Sequence, residues 1–415
     1  MAPLCAVDSM PDLSTQVIAV LGLGFLAAAI ASGLLRRRTL TELGALFAGL
    51  GMVAGPLGLD LLPALGTGVG DLVVAALAGW VALEVGLGIS MRTDGGLAPG
   101  AMRAGVLYTL VGVIGLGIVS FGVLEALLTH TLDTTWAYPS LVIAVASVAA
   151  APGALAGVAT AHGADGPVRT AGTSLARVAR FLAIVAVALV STMTEPEMVV
   201  AGFRTLAPAE RVLGEVVLGV IFGFFADVFI ADEPDDRRLV TILIGLSLLA
   251  TGLCAHLGLS PMLVNLLMGC SLANYGHLSS TRHRTAEALE GPTRKVLLVL
   301  MGAAWLPPSD PMIWAVVALM LGARVAMLRI AGGVAGRAFD PSHAGFRIIG
   351  FTMVAQGAPA LAIALIYTPS PQTVAGGVVL TVVLLSAMVN DLWAPVAARL
   401  VLDEAGEIPT TVVEA

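Results

Sequence analysis

AYPSLVIAVASVAAAPGALAGVAT, residues 137–160, contains no charged side chain. About 20 apolar residues suffice for a helix to cross the roughly 30 Å hydrocarbon layer of a bilayer, so the stretch is long enough to span. Within it, however, ASVAAAPG at residues 146–153 places Pro152 deep inside the run. Proline removes an amide and clashes with the preceding turn, and in lipid the carbonyls it frees must find protein, water or an ion. A second interruption of this kind, AQGAP at residues 355–359, falls inside the apolar run 345–368 around Pro359. Either both runs are broken helices, or the two prolines kink ordinary ones.

Composition says what surrounds these runs. Hydrophobic residues make up 58% of the chain and charged residues 12%, with a mean hydropathy of +0.95, far too apolar for a soluble domain. The partner of most of the surface is therefore a lipid bilayer. The net charge of −7 is carried in loops and tails, and no basic face exists to hold nucleic-acid phosphates. Cys5, Cys254 and Cys270 lack Cys-x-x-Cys spacing, so no disulfide, zinc site or other metal centre is expected. The 48 glycines fit close helix packing in lipid and imply no cofactor loop.

Thirteen apolar stretches can be delimited: 14–35, 40–64, 71–91, 104–128, 137–160, 170–193, 210–230, 238–257, 259–275, 294–307, 311–336, 345–368 and 373–399. Basic loop residues test that count, because they collect on the cytoplasmic side. Alternate loops hold Arg36 to Arg38, Arg92 with Arg103, Arg169, Arg237 with Arg238, then Arg282, Arg284, Arg294 and Lys295, Arg337 with Arg347, and Arg399. The opposite set holds Arg204 and Arg211, and Arg177, Arg180, Arg324 and Arg329 lie within spans. The asymmetry predicts a multi-pass protein of the inner (plasma) membrane with its N-terminus outside and its C-terminus in the cytoplasm. Residues 1–13 read as an extracytoplasmic tail, 14–399 as the transmembrane domain and 400–415 as a cytoplasmic tail. The first run has no basic segment before it and reads as a retained anchor. The last tail is too short to fold as a regulatory domain, so gating by a cytosolic sensor would need a separate subunit.

Four segments resemble the monovalent cation:proton antiporter superfamily, in its Kef-type and sodium–proton exchanger-like members. LGALFAGLGMVAGPLGLDLLP (43–63) is similar to the second-helix pattern of that family, with its Gly-Pro-x-Gly-Leu turn. GLSPMLVNLLMGCSLAN (258–274), followed by HRTAEALEGPTRKVLLVLMG (283–302), is the most specific match. GARVAM and VAQGAPALAIAL, within residues 322–365, resemble its basic helix and the broken helix after it. The resemblance implies an all-α polytopic fold of about 13 transmembrane helices, in two inverted repeats whose broken helices cross near the bilayer midplane. It also implies proton-coupled transport of a small ion, with no enzymatic activity, and a homodimer. Broken helices in such transporters build the midplane site, which makes Ser147, Pro152 and Gln356 ion-path candidates.

One position departs from that family. The helix after its first break carries an acidic pair, and counting from Pro152 that pair falls on Arg180 and Phe181; no Asp or Glu occurs between Asp165 and Glu195. Arg180 lies about 15 Å into its span at 1.5 Å per residue, and Arg324, where the family carries its basic residue, reaches similar depth. Arginine at a helix centre costs roughly 2.5–3.5 kcal/mol on insertion scales and keeps its proton, so each needs a counter-charge, water or carbonyls. Arg177 and Arg329 are placed to snorkel or to line an inner vestibule. The counter-charge candidates are Glu84, Glu125, Glu215, Asp227 and Asp391. Glu84 leads, either as a structural ion pair with Arg177 or Arg180 or as a proton relay. Asp391 reads as a similar pair, near an interface where water is available. Asn265 and Asn274 fit an ion path or inter-helix hydrogen bonding.

Two consequences compete. A site with two fixed positive charges repels Na⁺ or K⁺ and attracts an anion, which makes an anion transporter one reading beside proton-coupled cation exchange. A guanidinium locked to Glu84 would instead plug the path and leave a non-transporting scaffold or sensor subunit. Gly68-Val69-Gly70-Asp71 spells an intramembrane aspartyl protease motif but falls at a loop edge, and neither Gly172 to Leu175 nor the six histidines form a hydrolase motif. His256 is expected at a solvated outer turn.

Overall fold

Pro152 starts a helix instead of kinking one. In the computed structural model, which describes residues 44–56, 58–59, 69–91, 96–128, 135–194, 199–200, 204–205, 207–231, 235–276, 290–308, 310–340, 344–368 and 373–409, the run 137–160 divides into α4 (Ala137–Val148) and α5 (Pro152–His162). Proline stands in the first turn of α5, where its missing amide has no intrahelical partner to lose. The run 345–368 divides likewise. A short helix α12 (Ala344–Arg347) and a 3₁₀ segment, Ile349–Met353, precede the break, and α13 (Ala358–Tyr367) follows it with Pro359 in its first turn.

Fourteen α-helices lie among the described residues. The others are α1 (Gly44–Ala54), α2 (Val69–Leu87), α3 (Ala101–Leu128), α6 (Pro167–Thr194), α7 (Pro208–Ile230), α8 (Asp236–Leu257), α9 (Pro261–Tyr275), α10 (Glu290–Ala304), α11 (Pro311–Phe339) and α14 (Val374–Glu404). A two-residue antiparallel pairing of β1 (Val199–Val200) with β2 (Arg204–Thr205) joins α6 to α7. Seven helices (α2, α3, α6, α7, α8, α11 and α14) are long and apolar enough to cross a membrane, and α1, α4 and α13 are shorter apolar helices. Twelve of the thirteen expected stretches thus have a counterpart. The first, 14–35, lies outside the described residues, as do Arg36 to Arg38, Arg92, Arg282, Arg284 and Gly68.

Large apolar side chains on the outer helices face outward at helical spacing: Leu110, Ile114, Ile118 and Phe121 on α3, and Leu213, Val217, Val220 and Phe224 on α7. In water such stripes would be a liability; in lipid they are the solvent-facing surface. The fold is that of a polytopic membrane protein.

Packing divides the helices into two sets. In one, α3, α4, α5, α6, α11, α13 and α14 pack around the two breaks; in the other, α2 packs on α8 and α9, α7 on α9, and α1 on α10; α13 bridges the two, packing on α2 and α10 as well as on α4. Glycine makes the closest approaches in the second set. A Cβ at Gly86 of α2 would collide with the carbonyl of Leu266 on α9, and one at Gly269 of α9 with the carbonyl of Leu83 on α2. The order helix, broken helix, helix occurs twice, as α3, α4–α5, α6 and as α11, 3₁₀–α13, α14. Where the two breaks meet, their backbones run antiparallel.

Candidate functional site

At the breaks the backbone leaves helical geometry, and the orphaned groups satisfy one another. Ala150 and Gln356 form an antiparallel bridge. The amide of Ala151 donates to the carbonyl of Ala355 at 2.9 Å, and that of Gly357 to the carbonyl of Ala149 at 3.2 Å. Gln356, fully buried, adds a long hydrogen bond from Nε2 to the carbonyl of Ala146 at 3.4 Å. A Cβ at Gly357 would lie 3.3 Å from the Ala150 carbonyl, so the crossing needs a small residue there.

Four half-helix ends meet at this crossing: the C-termini of α4 and the 3₁₀ segment, and the N-termini of α5 and α13. Arg324 of α11, 2% exposed, is held by the first pair of ends. Its Nε donates to the carbonyl of Ser147 at 3.1 Å and its Nη2 to the carbonyl of Met353 at 3.3 Å. A fixed positive charge is well placed where two helix C-termini converge, because the unsatisfied carbonyls carry partial negative charge. Ser147 therefore enters the site through its carbonyl.

Arg180 of α6, 1% exposed, has a different partner. Its Nη1 donates to Oε2 of Glu290 at 3.0 Å, and its Nη2 lies against Gly88, just past the C-terminal end of α2. Glu84, the leading candidate for this role, is buried in the last turn of α2 and accepts a hydrogen bond from Trp80 Nε1 at 2.6 Å. Arg180 and Arg324, expected at similar depth, bond to different partners. Phe181 is partly buried against the main core.

Asp391 of α14 stands in a second ion pair, with Arg294. Its side chain is 8% exposed, and Nη2 of Arg294 donates to Oδ1 at 2.6 Å and to Oδ2 at 2.7 Å. Nε of Arg294 donates to the carbonyl of Gln356 at the second break, 3.0 Å away. The carboxylate packs against Gly44 of α1, where any Cβ would collide with Oδ2. Pro395, one turn on in α14, takes away the amide that would otherwise bond the Asp391 carbonyl.

Arg294 reads from the sequence as a loop residue, and Glu290 is not among the expected counter-charges. Both stand in the first turns of α10, which begins four residues before the expected span. Four-residue spacing puts them on one helical face, and in EGPTRKVLLVLMG that spacing, ahead of an apolar run, was the signal. From this face α10 sends one ion pair to α6 and one to α14, joining the two helix sets through charge.

The remaining candidates have ordinary structural settings. Asn265 Nδ2 donates to Thr251 Oγ1 at 3.1 Å and to the Pro261 carbonyl at 2.8 Å, tying α9 to α8. Asn274 Nδ2 donates to the Ile89 carbonyl, and its Oδ1 accepts from the Met91 amide, so it caps the chain leaving α2. Glu215, buried in α7, accepts from the Ser260 amide at 2.7 Å. Glu125, Arg329 and His256 are exposed, Asp227 is half-buried beside Gly276, and Arg177 is half-buried in α6.

Among known proteins, no family model matches the chain, and no curated protein matches it. Solved structures do. A structure of the sodium proton antiporter MjNhaP1 from Methanocaldococcus jannaschii at pH 8 superposes with a TM-score of 0.63 at 15% identity, over 93% of this chain and 99% of that one. An electron-microscopy structure of the same antiporter gives a TM-score of 0.59 at 16% identity, over 93% and 96%. At such identity the likeness is one of fold: this chain has the fold of a sodium/proton antiporter along nearly its whole length.

Proposed function

We propose that this protein is a secondary ion transporter of the cation:proton antiporter type, in which carboxylates paired with arginine replace the free acidic pair of related antiporters. The fold of the MjNhaP1 antiporter supports the transport class. The observation that carries the site is Arg294, which binds Asp391 with one nitrogen and the carbonyl of the second break with another.

An arginine holds its proton under all working conditions, so the carboxylate is the group that changes state. Asp391 either pairs with Arg294 or takes up a proton or a cation. Taking one up releases a guanidinium that is also bonded to the crossing. Glu290 and Arg180 form the equivalent pair toward α6. Both pairs tie α10 to the helices that surround the breaks, so exchanging their partners is coupled to relative movement of the two sets. That coupling is the requirement for alternating access.

Charge balance favours cation exchange over an anion site. Arg180 is matched by Glu290, Arg294 by Asp391, and Arg324 by helix-end carbonyls, so among the described residues no pair of unmatched guanidinium groups remains around the crossing to attract an anion. A scaffold or sensor subunit is the competing reading, supported by the same closed pairs if they never open. The asymmetry of basic loops supports a cytoplasmic membrane location with the C-terminus inside; a homodimer rests on resemblance alone.

The test is purified protein in proteoliposomes with an internal pH dye, challenged in turn with Na⁺, K⁺ and small anions, for wild type and Arg180→Asp. The proposal expects a cation-driven pH change from the wild type. Silence from both proteins would support the scaffold, and a response to anions alone would support the anion reading.

A further inference from the structure

The basic end of α11 contains a feature that ion exchange does not use. A cleft of about 690 Å³ opens between the last turns of α11 and the chain after it, lined by Arg329, Ile330, Val334, Arg337, Asp340 and Arg347. Glycine holds its two walls together. Gly332 packs directly on Gly350, and Gly336 on the carbonyl of Phe346, so the two segments touch without side chains between them. Arg329 and Arg337 are eight residues apart on one face of α11, and Arg347 comes from α12. All three are exposed, and none makes a hydrogen bond or ion pair among the described residues.

Depth makes the arrangement informative. Arg324 marks the level of the crossing. Arg329 lies five residues further along α11, about 7.5 Å at 1.5 Å per residue, still inside the half-thickness of the hydrocarbon layer. Ile330, 55% exposed, follows it directly. An exposed guanidinium at that depth is costly unless it snorkels or meets an anion. Arg337, two turns on, reaches the headgroup level.

We propose that this cleft binds the phosphate of an anionic phospholipid. Arg337 and Arg347 would take the headgroup oxygens through paired N–H donors, with Arg329 reaching up from below and Ile330 and Val334 against the first methylenes of an acyl chain. A lipid is favoured over a soluble phosphate compound because the lower rim of the cleft is apolar and continuous with the lipid-facing side of α11. The leaflet on the side of basic loops is also the anionic one. The proposal stands whether or not the protein moves ions.

It can be tested by native mass spectrometry of the full chain in detergent, supplied with equal phosphatidylglycerol and phosphatidylcholine. Each surface arginine is worth about fivefold in attraction to an anionic lipid. The wild type should therefore prefer phosphatidylglycerol, Arg329→Gln should weaken the preference about fivefold, and the triple variant R329Q/R337Q/R347Q should lose it. Arg399→Gln, at an exposed arginine outside the cleft that pairs with Asp403, should keep it. Equal preference in wild type and triple variant would overturn the proposal. Full displacement of the lipid by millimolar inorganic phosphate or AMP would overturn it too, by assigning the cleft to a soluble phosphate.

Discussion

A guanidinium at mid-membrane is held by whatever it can bond, and Arg180 and Arg324 illustrate two solutions. Arg324 uses carbonyls, and Arg180 uses Glu290. The difference has consequences for stability. Removing one partner of a buried pair leaves a stranded charge and costs about 3–5 kcal/mol, whereas replacing both partners with apolar residues is often neutral. Glu290→Gln is therefore expected to lower the thermal unfolding midpoint in detergent strongly, toward the low end of that range because Glu290 is 18% exposed. The double variant Arg180→Met/Glu290→Leu should recover most of the loss. For Arg324→Met, two stranded carbonyls at about 1–3 kcal/mol each are partly offset by the 2.5–3.5 kcal/mol no longer needed to bury the charge. Its midpoint should fall less than that of Glu290→Gln, and equal or greater loss would show that Arg324 holds the crossing together more tightly than its two hydrogen bonds imply.

At the scale of elements, the breaks were legible and their closure was not. Pro152 and Pro359 inside apolar runs announce an interruption whatever the family, since proline cannot continue a helix without stranding a carbonyl. That the two breaks hydrogen-bond to each other depends on long-range pairing, which residues 146–153 and 355–359 do not encode separately. The partner of Arg180 escaped for a physical reason as well. The positive-inside rule separates loop arginines from span arginines, and Arg294, at the boundary, falls on the loop side of it. The helix starts earlier and turns Glu290 and Arg294 inward together. Glycine placement supplies a test at this scale. Overpacking at a close helix contact costs about 1–3 kcal/mol, so Gly269→Val should separate α9 from α2 and lower the unfolding midpoint. Gly214→Val, on α7 where a Cβ meets nothing within 4 Å, should leave it unchanged.

For the whole molecule, the proposal makes the two helix sets and the charge pairs between them one device. The set around the crossing carries Arg180, Arg324 and Asp391; α10, in the other set, carries Glu290 and Arg294. Relative movement must break or exchange both ion pairs, and only the carboxylates can change charge to allow it. Cation exchange on this account needs a titrating carboxylate at α14 in place of the missing pair on α6. Proton movement per cation in proteoliposomes, compared between wild type and Asp391→Asn, tests this most directly. The account predicts that Na⁺- or K⁺-driven proton movement by the wild type disappears in Asp391→Asn while the variant still folds and inserts. Undiminished exchange by Asp391→Asn would contradict it.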